Sequence, residues 1–188
     1  LKELHAYSRS VSSLYRVMRT LSMFPVKKAR KKRVNKPYDT PTVPGAKIQI
    51  DVKYVPSCCL VGDLKGTKLY QYTAIDEASR LRYLAFYEEH STYSSEKFLL
   101  ECIKFFPFKI QCVQTDNGFE FTNRLVSEKK TLFEVALLQN GIAYHPIRPA
   151  TPRHNGKVER SHREDQKRLY DKTTFYSLDD AYSQIKKY

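Results

Sequence analysis

No stretch of this sequence stays apolar for the roughly 20 residues that a membrane-spanning helix needs, which argues against a membrane partner. Cysteine is scarce: Cys58, Cys59, Cys102 and Cys112 are all there is. None forms a CxxC pair, and the adjacent Cys58 and Cys59 make a poor framework for a structural disulfide. The Cys/His array of a zinc site is missing. Reduced, partly buried thiols of a cytosolic protein are the expectation, and no charged-then-apolar secretory pattern opens the sequence. No internal repeat is visible. Acidic residues are outnumbered, with 20 Asp and Glu against 33 Lys and Arg, and the formal charge is +13 over 188 residues. That excess points to a polyanionic partner, and on charge alone nucleic acid, anionic membrane and acidic protein all qualify. The length predicts one main domain with a small appendage, enough chain to bury a core without staples.

Residues 1–24 read as helical, with Val11, Leu14, Met18 and Leu21 at three- and four-residue steps and Ser10, Ser12 and Ser13 as candidate caps. The segment SVSSLYRVMRTLSMFP resembles the second half of a helix-turn-helix. An amphipathic helix packed on a neighbour is the alternative. A basic run, KKARKKR, follows at 27–33 and then the Pro-containing NKPYDTPTVPG. The expected organisation is a partial DNA-binding segment at 1–24, a basic, Pro-containing linker at 25–46 and a core at 47–188.

In IQIDVKYV, Ile48, Ile50, Val52 and Tyr54 alternate with Gln49, Asp51, Lys53 and Val55, a period of two that predicts a strand with Asp51 opposite the apolar set. LYQYTAID and LRYLAFYE extend it into an antiparallel meander. The period then changes. Leu99, Cys102, Ile103 and Phe106 fall at helical spacing, and Pro107 ends that helix. KIQCVQT is a short strand ending at Asp116. A helix at 130–139 has Leu132, Val135, Ala136 and Gln139 on one side and Gly141 as its stop. IAYH is a fifth strand, KVERSHREDQKRLYDK a long polar helix, and a further helix begins near Ser177. The order β-β-β-α-β-α-β-α means an α/β fold with a mixed five-stranded sheet flanked by helices.

Three acids stand out: Asp51 within a strand, Asp116 where a strand ends in TDNGFEF, and Glu159 at a helix start in NGKVERSHRE. Carboxylates in strands cost stability unless charged partners or metal ions satisfy them. Converging carboxylates are natural ligands for Mg²⁺ or Mn²⁺. Two such ions suit phosphodiester cleavage and transfer.

Together IQIDVKYV, TAIDEASR, QTDNGFEF and RPATPRHNGKVERSHR resemble the integrase catalytic core of bacterial insertion-sequence transposases, and more distantly retroviral integrases. The resemblance runs from residue 46 to about 188. It implies a ribonuclease H-like fold and a DDE triad of Asp51, Asp116 and Glu159 holding two Mg²⁺ or Mn²⁺ ions. The implied activity is cleavage of transposon-end DNA and strand transfer into target DNA by a homo-oligomer, in a bacterial cytoplasm among nucleoid DNA. The chain departs from the family pattern in one respect. It places 42 residues between Asp116 and Glu159, longer than the usual spacing, with the surplus expected in NRLVSEKKT.

Each assignment has an ordinary alternative. Asp51 could pair with Lys53, Asp116 could simply form a turn, and Glu159 could pair with Arg163 at i+4, as Glu164 can with Arg168. Asp76 is the rival for the first position. The resemblance makes it structural, bonding to the turn at Ser79 and Arg80. Glu120 lies close enough to support the site. Candidate DNA contacts are Lys27, Lys28, Arg30, Lys31, Lys32, Arg33, Asn155, Lys157 and Arg160. His145, His154 and His162 rank low as catalysts, because metal ions would do the work of a general base. The Tyr and Phe residues read as core rather than stacking platforms. A metal nuclease on the same fold and a catalytically inactive DNA-binding regulator remain as alternative functions.

Overall fold

The computed structural model describes residues 8–24, 40–123, 127–147 and 155–188. It divides into two compact units, Leu1–Pro37 and Tyr38–Tyr188. In the first, helix α1 spans Val11–Thr20, capped by Ser10, whose side chain accepts from Ser13 N at 3.3 Å. None of its residues is buried. No described helix is long and apolar enough to cross a membrane.

The second unit is built on five strands: β1 (Ile48–Tyr54), β2 (Tyr70–Asp76), β3 (Arg82–Tyr87), β4 (Cys112–Thr115) and β5 (Ala143–Pro146), in the order β3-β2-β1-β4-β5. β1 pairs antiparallel with β2 along its whole length, from Ile48↔Asp76 to Tyr54↔Tyr70. On its other side it runs parallel to β4, with Ile48 opposite Val113. β4 and β5 are also parallel. The mixed sheet predicted from the order of elements is therefore present, and β1 is its central strand.

The helices are α2 (Thr92–Phe105), α3 (Leu132–Gln139), α4 (Gly156–Asp165) and α5 (Leu178–Lys187). Ser91, Thr131 and Ser177 cap α2, α3 and α5, and Thr131 with Glu134 forms a complete capping box. Period-two alternation sorts the sheet into two faces. Ile48, Ile50, Tyr72 and Ala74 join Phe98, Leu99, Phe133 and Leu137 of α2 and α3 in one core. The intervening Gln49, Asp51, Lys53, Gln71 and Thr73 turn towards α4. The second core lies beyond them, where Val55, Leu60, Leu69 and Phe86 meet Leu169, Phe175 and Ala181.

Three expectations are corrected. Tyr54 is 59% exposed, at the last residue of β1, where its ring rests on Tyr70 instead of entering the core. Gln49 is buried although it falls on the face expected to be polar, since the central strand is covered on both sides. In α3 the buried residues are Phe133, Ala136 and Leu137, while Leu132 and Val135 are exposed. That helix is apolar nearly all round, so periodicity could not choose its face. The choice comes from the Thr131 hydroxyl, which donates to Phe121 O at 2.7 Å, and from packing of Phe121 on Phe133.

The long polar helix also breaks from regularity. After Asp165 it widens into a π turn at Gln166–Tyr170. The wider turn places both Leu169 and Tyr170 in the second core.

Candidate active site

Asp51 lies in the middle of β1 on the α4 side. Its neighbour there is His162, whose Nδ1 is 3.4 Å from Asp51 Oδ2. Burial pushes the Asp51 carboxyl up to about 7, helped by the charges of Asp116, Glu159 and Glu120 and opposed by the Val52 backbone N–H. Lys53 does not neutralise it. The Lys53 ammonium lies 3.4 Å from the His162 carbonyl oxygen and sits over the Tyr170 ring.

Asp116 follows the last residue of β4. Its Oδ1 accepts from Gly118 N at 3.0 Å, so the turn chemistry read in Asp-Asn-Gly is present. Asn117 Nδ2 donates to Ile147 O at 2.9 Å, tying the loop to the end of β5. Gly118 has a steric reason to be glycine. A Cβ there would lie 2.5 Å from Glu120 Cδ. Glu120 is nearly buried and pairs with His90 Nε2 at 2.8 Å. That imidazole stacks on Tyr70, which leans on Tyr54.

Glu159 lies in the first turn of α4 and is exposed. Such a polar helix could not pack on an apolar sheet face. It packs on the polar one through hydrogen bonds. Gln49 Oε1 accepts from Lys157 N and Val158 N, each at 3.2 Å. At the other end of α4 the buried Asp165 carboxylate ion-pairs with Arg82 and accepts from Gln71 Nε2 at 2.7 Å and from Tyr188 OH at 3.0 Å. Tyr170 OH donates to Gln71 Oε1.

The remaining candidates separate by position. Asp76 is fully buried. Its Oδ2 accepts from both Ser79 N and Ser79 Oγ at 2.6 Å, and its Oδ1 accepts from Gly45 N at 3.0 Å, a turn-holding arrangement. Lys157 Nζ is 2.8 Å from the buried Glu77 Oε2. Arg160 is exposed, whereas Asn155 is buried with its Oδ1 lacking a partner among the described residues. Glu164 pairs with Arg168 at 3.1 Å as its i+4 spacing predicts. His145 is exposed. Lys27, Lys28, Arg30, Lys31, Lys32, Arg33 and His154 lie outside the described residues, and so do three residues of the NRLVSEKKT segment. Its residues 127–130 are exposed.

Two residues matter most beside the acids: Gln49, which the sequence did not single out, and His162, which it ranked low as a catalyst. Gln49 stands two places before Asp51. His162 stands three places after Glu159, on the helix side that meets β1. His162 is held down to about 4 by burial first and then by the charge of Lys53, and its buried Nε2 has no partner among the described residues. The sequence signal for Gln49 was only its spacing from an acid; for His162 it was also the residue type.

Among the described residues no three His, Cys, Asp or Glu side chains converge closely enough to hold a metal ion between them. Asp51, Asp116 and Glu159 do lie near enough for their charges to raise the Asp51 carboxyl. A donor set made only of carboxylate oxygens fits a hard divalent cation, and such an ion would relieve their mutual repulsion.

Family models described as integrase core domain match residues 41–152, more than half of the chain, and residues 140–188. The curated protein named "Putative integrase ORF3" of Spiroplasma virus SpV1-C74 is 34% identical over 125 residues, which is 61% of this chain and 33% of that protein. The chain thus spans about a third of the length of that relative. Among solved structures, the HTLV-2 integrase catalytic core domain in complex with magnesium (trimeric form) is 20% identical. It covers 77% of this chain and 82% of its own, with a TM-score of 0.53. The catalytic core domain of BIV integrase is 21% identical over 66% of this chain and 69% of its own, with a TM-score of 0.48. The ribonuclease H-like fold is the one shared with such catalytic cores. By the match of its sequence to the family models, the chain belongs to the integrase core-domain family.

Proposed function

We propose that this chain is the catalytic core of a DNA transposase that cuts phosphodiester bonds at the ends of a mobile element and joins those ends to target DNA. The carrying observation is the Asp51 carboxyl, raised to about 7 by burial and by the charges of Asp116, Glu159 and Glu120. A fold does not assemble like charges around a half-buried carboxylate for stability's sake, and such frustration is a mark of a functional site. Asp51, Asp116 and Glu159 are the residues that would hold two Mg²⁺ or Mn²⁺ ions. When bound, two such ions activate a water or 3′-hydroxyl and stabilise the leaving oxygen.

The protein's own groups supply the frame. The central strand holds Asp51 against rigid neighbours on both sides. The Asp-Asn-Gly turn aims Asp116 from the next parallel strand. Helix α4 carries Glu159 and exposes Arg160 beside it, where its guanidinium can meet a DNA phosphate. The charge of +13 favours a polyanion throughout. The magnesium named for the HTLV-2 core supports the choice of ion, and its trimeric form supports action as an oligomer. A cytoplasmic site among nucleoid DNA completes the proposal.

The test is incubation of the protein with 3′-hydroxyl-ended element DNA and a target plasmid in Mg²⁺ or Mn²⁺. Joined products from wild type and none from a folded Asp116→Asn variant are expected. Nicks without joining would make the protein a nuclease on the same fold. Full joining by Asp116→Asn would overturn the site.

A further inference from the structure

We infer that Gln49 is a positioning residue that couples strand β1 to helix α4, so that Asp51 and Glu159 are held in one frame. The inference rests on the proposed role of those two acids as metal ligands.

Helix N-termini leave backbone N–H groups without intrahelical acceptors, and a local Ser, Thr, Asp or Asn side chain usually meets them. Helices α1, α2, α3 and α5 follow that rule, with Ser10, Ser91, Thr131 and Ser177. Helix α4 does not. Its N-cap residue is Asn155, whose side chain makes no capping bond. The acceptor comes instead from another element. Gln49 Oε1 receives the N–H groups of Lys157 and Val158, both at 3.2 Å.

The other end of the Gln49 amide is also specified. Nε2 donates to Glu77 Oε1 at 2.8 Å, and Glu77 Oε2 takes the Lys157 ammonium at 2.8 Å. Lys157 thus meets Gln49 through its main chain and Glu77 through its side chain. Because Glu77 requires a donor, the Gln49 amide cannot flip without facing oxygen towards oxygen. Gln49, at 1% exposure, has no solvent to turn to. The helix start is therefore fixed to the strand that carries Asp51 two residues later, and Glu159 follows the capped amides by one and two positions. A cap from the helix's own preceding residue would stabilise α4 equally well but would not tie its position to β1.

The experiment compares the protein with Gln49→Met, which keeps the side-chain length and removes the three hydrogen bonds described above. The rescue variant is the charge-preserving double substitution Gln49→Glu with Glu77→Gln, which restores a two-amide acceptor and a donor towards it. Amide hydrogen exchange is followed at Lys157 and Val158, and Mn²⁺ binding by calorimetry. Gln49→Met is expected to lose exchange protection at those two amides and to bind Mn²⁺ about tenfold to a hundredfold more weakly, the usual loss when support behind a ligand is removed. The double substitution is expected to recover both. Two results would overturn the inference: protection that survives in Gln49→Met, or protection lost with Mn²⁺ affinity unchanged. If Gln49→Met does not fold, the double substitution decides alone, through wild-type or lost protection and affinity. Failure of the underlying reading is separately visible, because wild type would then bind no Mn²⁺ while its two amides remained protected.

Discussion

The imidazole of His162 lies with Nδ1 3.4 Å from Asp51 Oδ2, and burial drives the two groups in opposite directions: Asp51 up to about 7, His162 down to about 4. Both become neutral more readily than usual. Near neutral pH His162 is uncharged and Asp51 is close to half-protonated. The pair is thus a buried acid next to a neutral ring, not an ion pair.

The pH dependence of metal-free stability follows. A carboxyl with a raised pKa stabilises the fold at low pH, and that contribution fades as pH rises from the unfolded value near 4 to about 7. A histidine with a depressed pKa stabilises above about 6.5 and loses the contribution as pH falls towards 4. The two oppose each other across the same window. Asp51→Asn should raise stability at pH 8 in EDTA by roughly 2 kcal/mol, the shift discounted for partial exposure. In that variant, urea unfolding should show stability climbing from pH 4 to 6.5, whereas His162→Gln should show it falling. An Asp51→Asn variant weaker than wild type at pH 8 would contradict this electrostatic picture.

Gly118→Ala should harm both fold and activity. The added methyl meets the Glu120 carboxylate, itself held by His90, so either that side chain leaves His90 or the loop after Asp116 shifts. An overpacking cost of about 1–3 kcal/mol is expected. Combining it with Glu120→Ala should recover most of that loss in thermal unfolding, a coupling that a double-mutant cycle measures directly. Additive losses would mean that the two side chains do not compete for space.

Asp165 and Glu164 are adjacent in sequence and opposite in energetics. Asp165 is buried with Arg82, Gln71 and Tyr188 around it, and its replacement by Ala strands a partly buried guanidinium. A loss of about 3–5 kcal/mol is expected. The Glu164–Arg168 pair lies on the surface, where Glu164→Ala should change stability by no more than about 0.5 kcal/mol. Chemical denaturation of the two variants checks the contrast. Equal effects would remove the argument that α4 is held through Asp165.

Arg160 and Lys157 were both candidates for phosphate contact, and the structure predicts different outcomes for them. Arg160 is exposed, so Arg160→Ala should leave stability unchanged and lower the slope of log affinity against log salt by about 0.9. Lys157 is the closer of two lysines beside the buried Glu77, so Lys157→Ala should cost roughly 1–3 kcal/mol of stability. Salt titrations of DNA binding, set beside unfolding curves, separate the two roles. A salt slope unmoved by Arg160→Ala would remove that residue from the interface.

Element order, the Asp51 strand and the Asp116 turn were legible because each leaves a local mark: period two, period 3.6, or Asp-Asn-Gly; the central place of that strand was not, since strand order leaves no local mark. The largely apolar α3 was misread at its buried face because a helix without a distinct polar side has little pattern to read. The π turn was missed because it answers to where Leu169 and Tyr170 must go, not to local propensity. Gln49 stayed hidden for a related reason. A glutamine on a strand looks like a solvated residue until a helix from the far end of the chain brings its two amides. Long-range hydrogen bonds of this kind carry no period.

Whether Asp51, Asp116 and Glu159 hold metal is tested most directly by a crystal structure of the protein soaked in Mn²⁺, with anomalous scattering used to place the ions. One or two Mn²⁺ ions ligated by carboxylate oxygens of Asp51, Asp116 and Glu159 are expected, with Asp76 still bound to its turn at Ser79. Ions held elsewhere, or a soaked crystal with no anomalous density among these three carboxylates, would contradict that role.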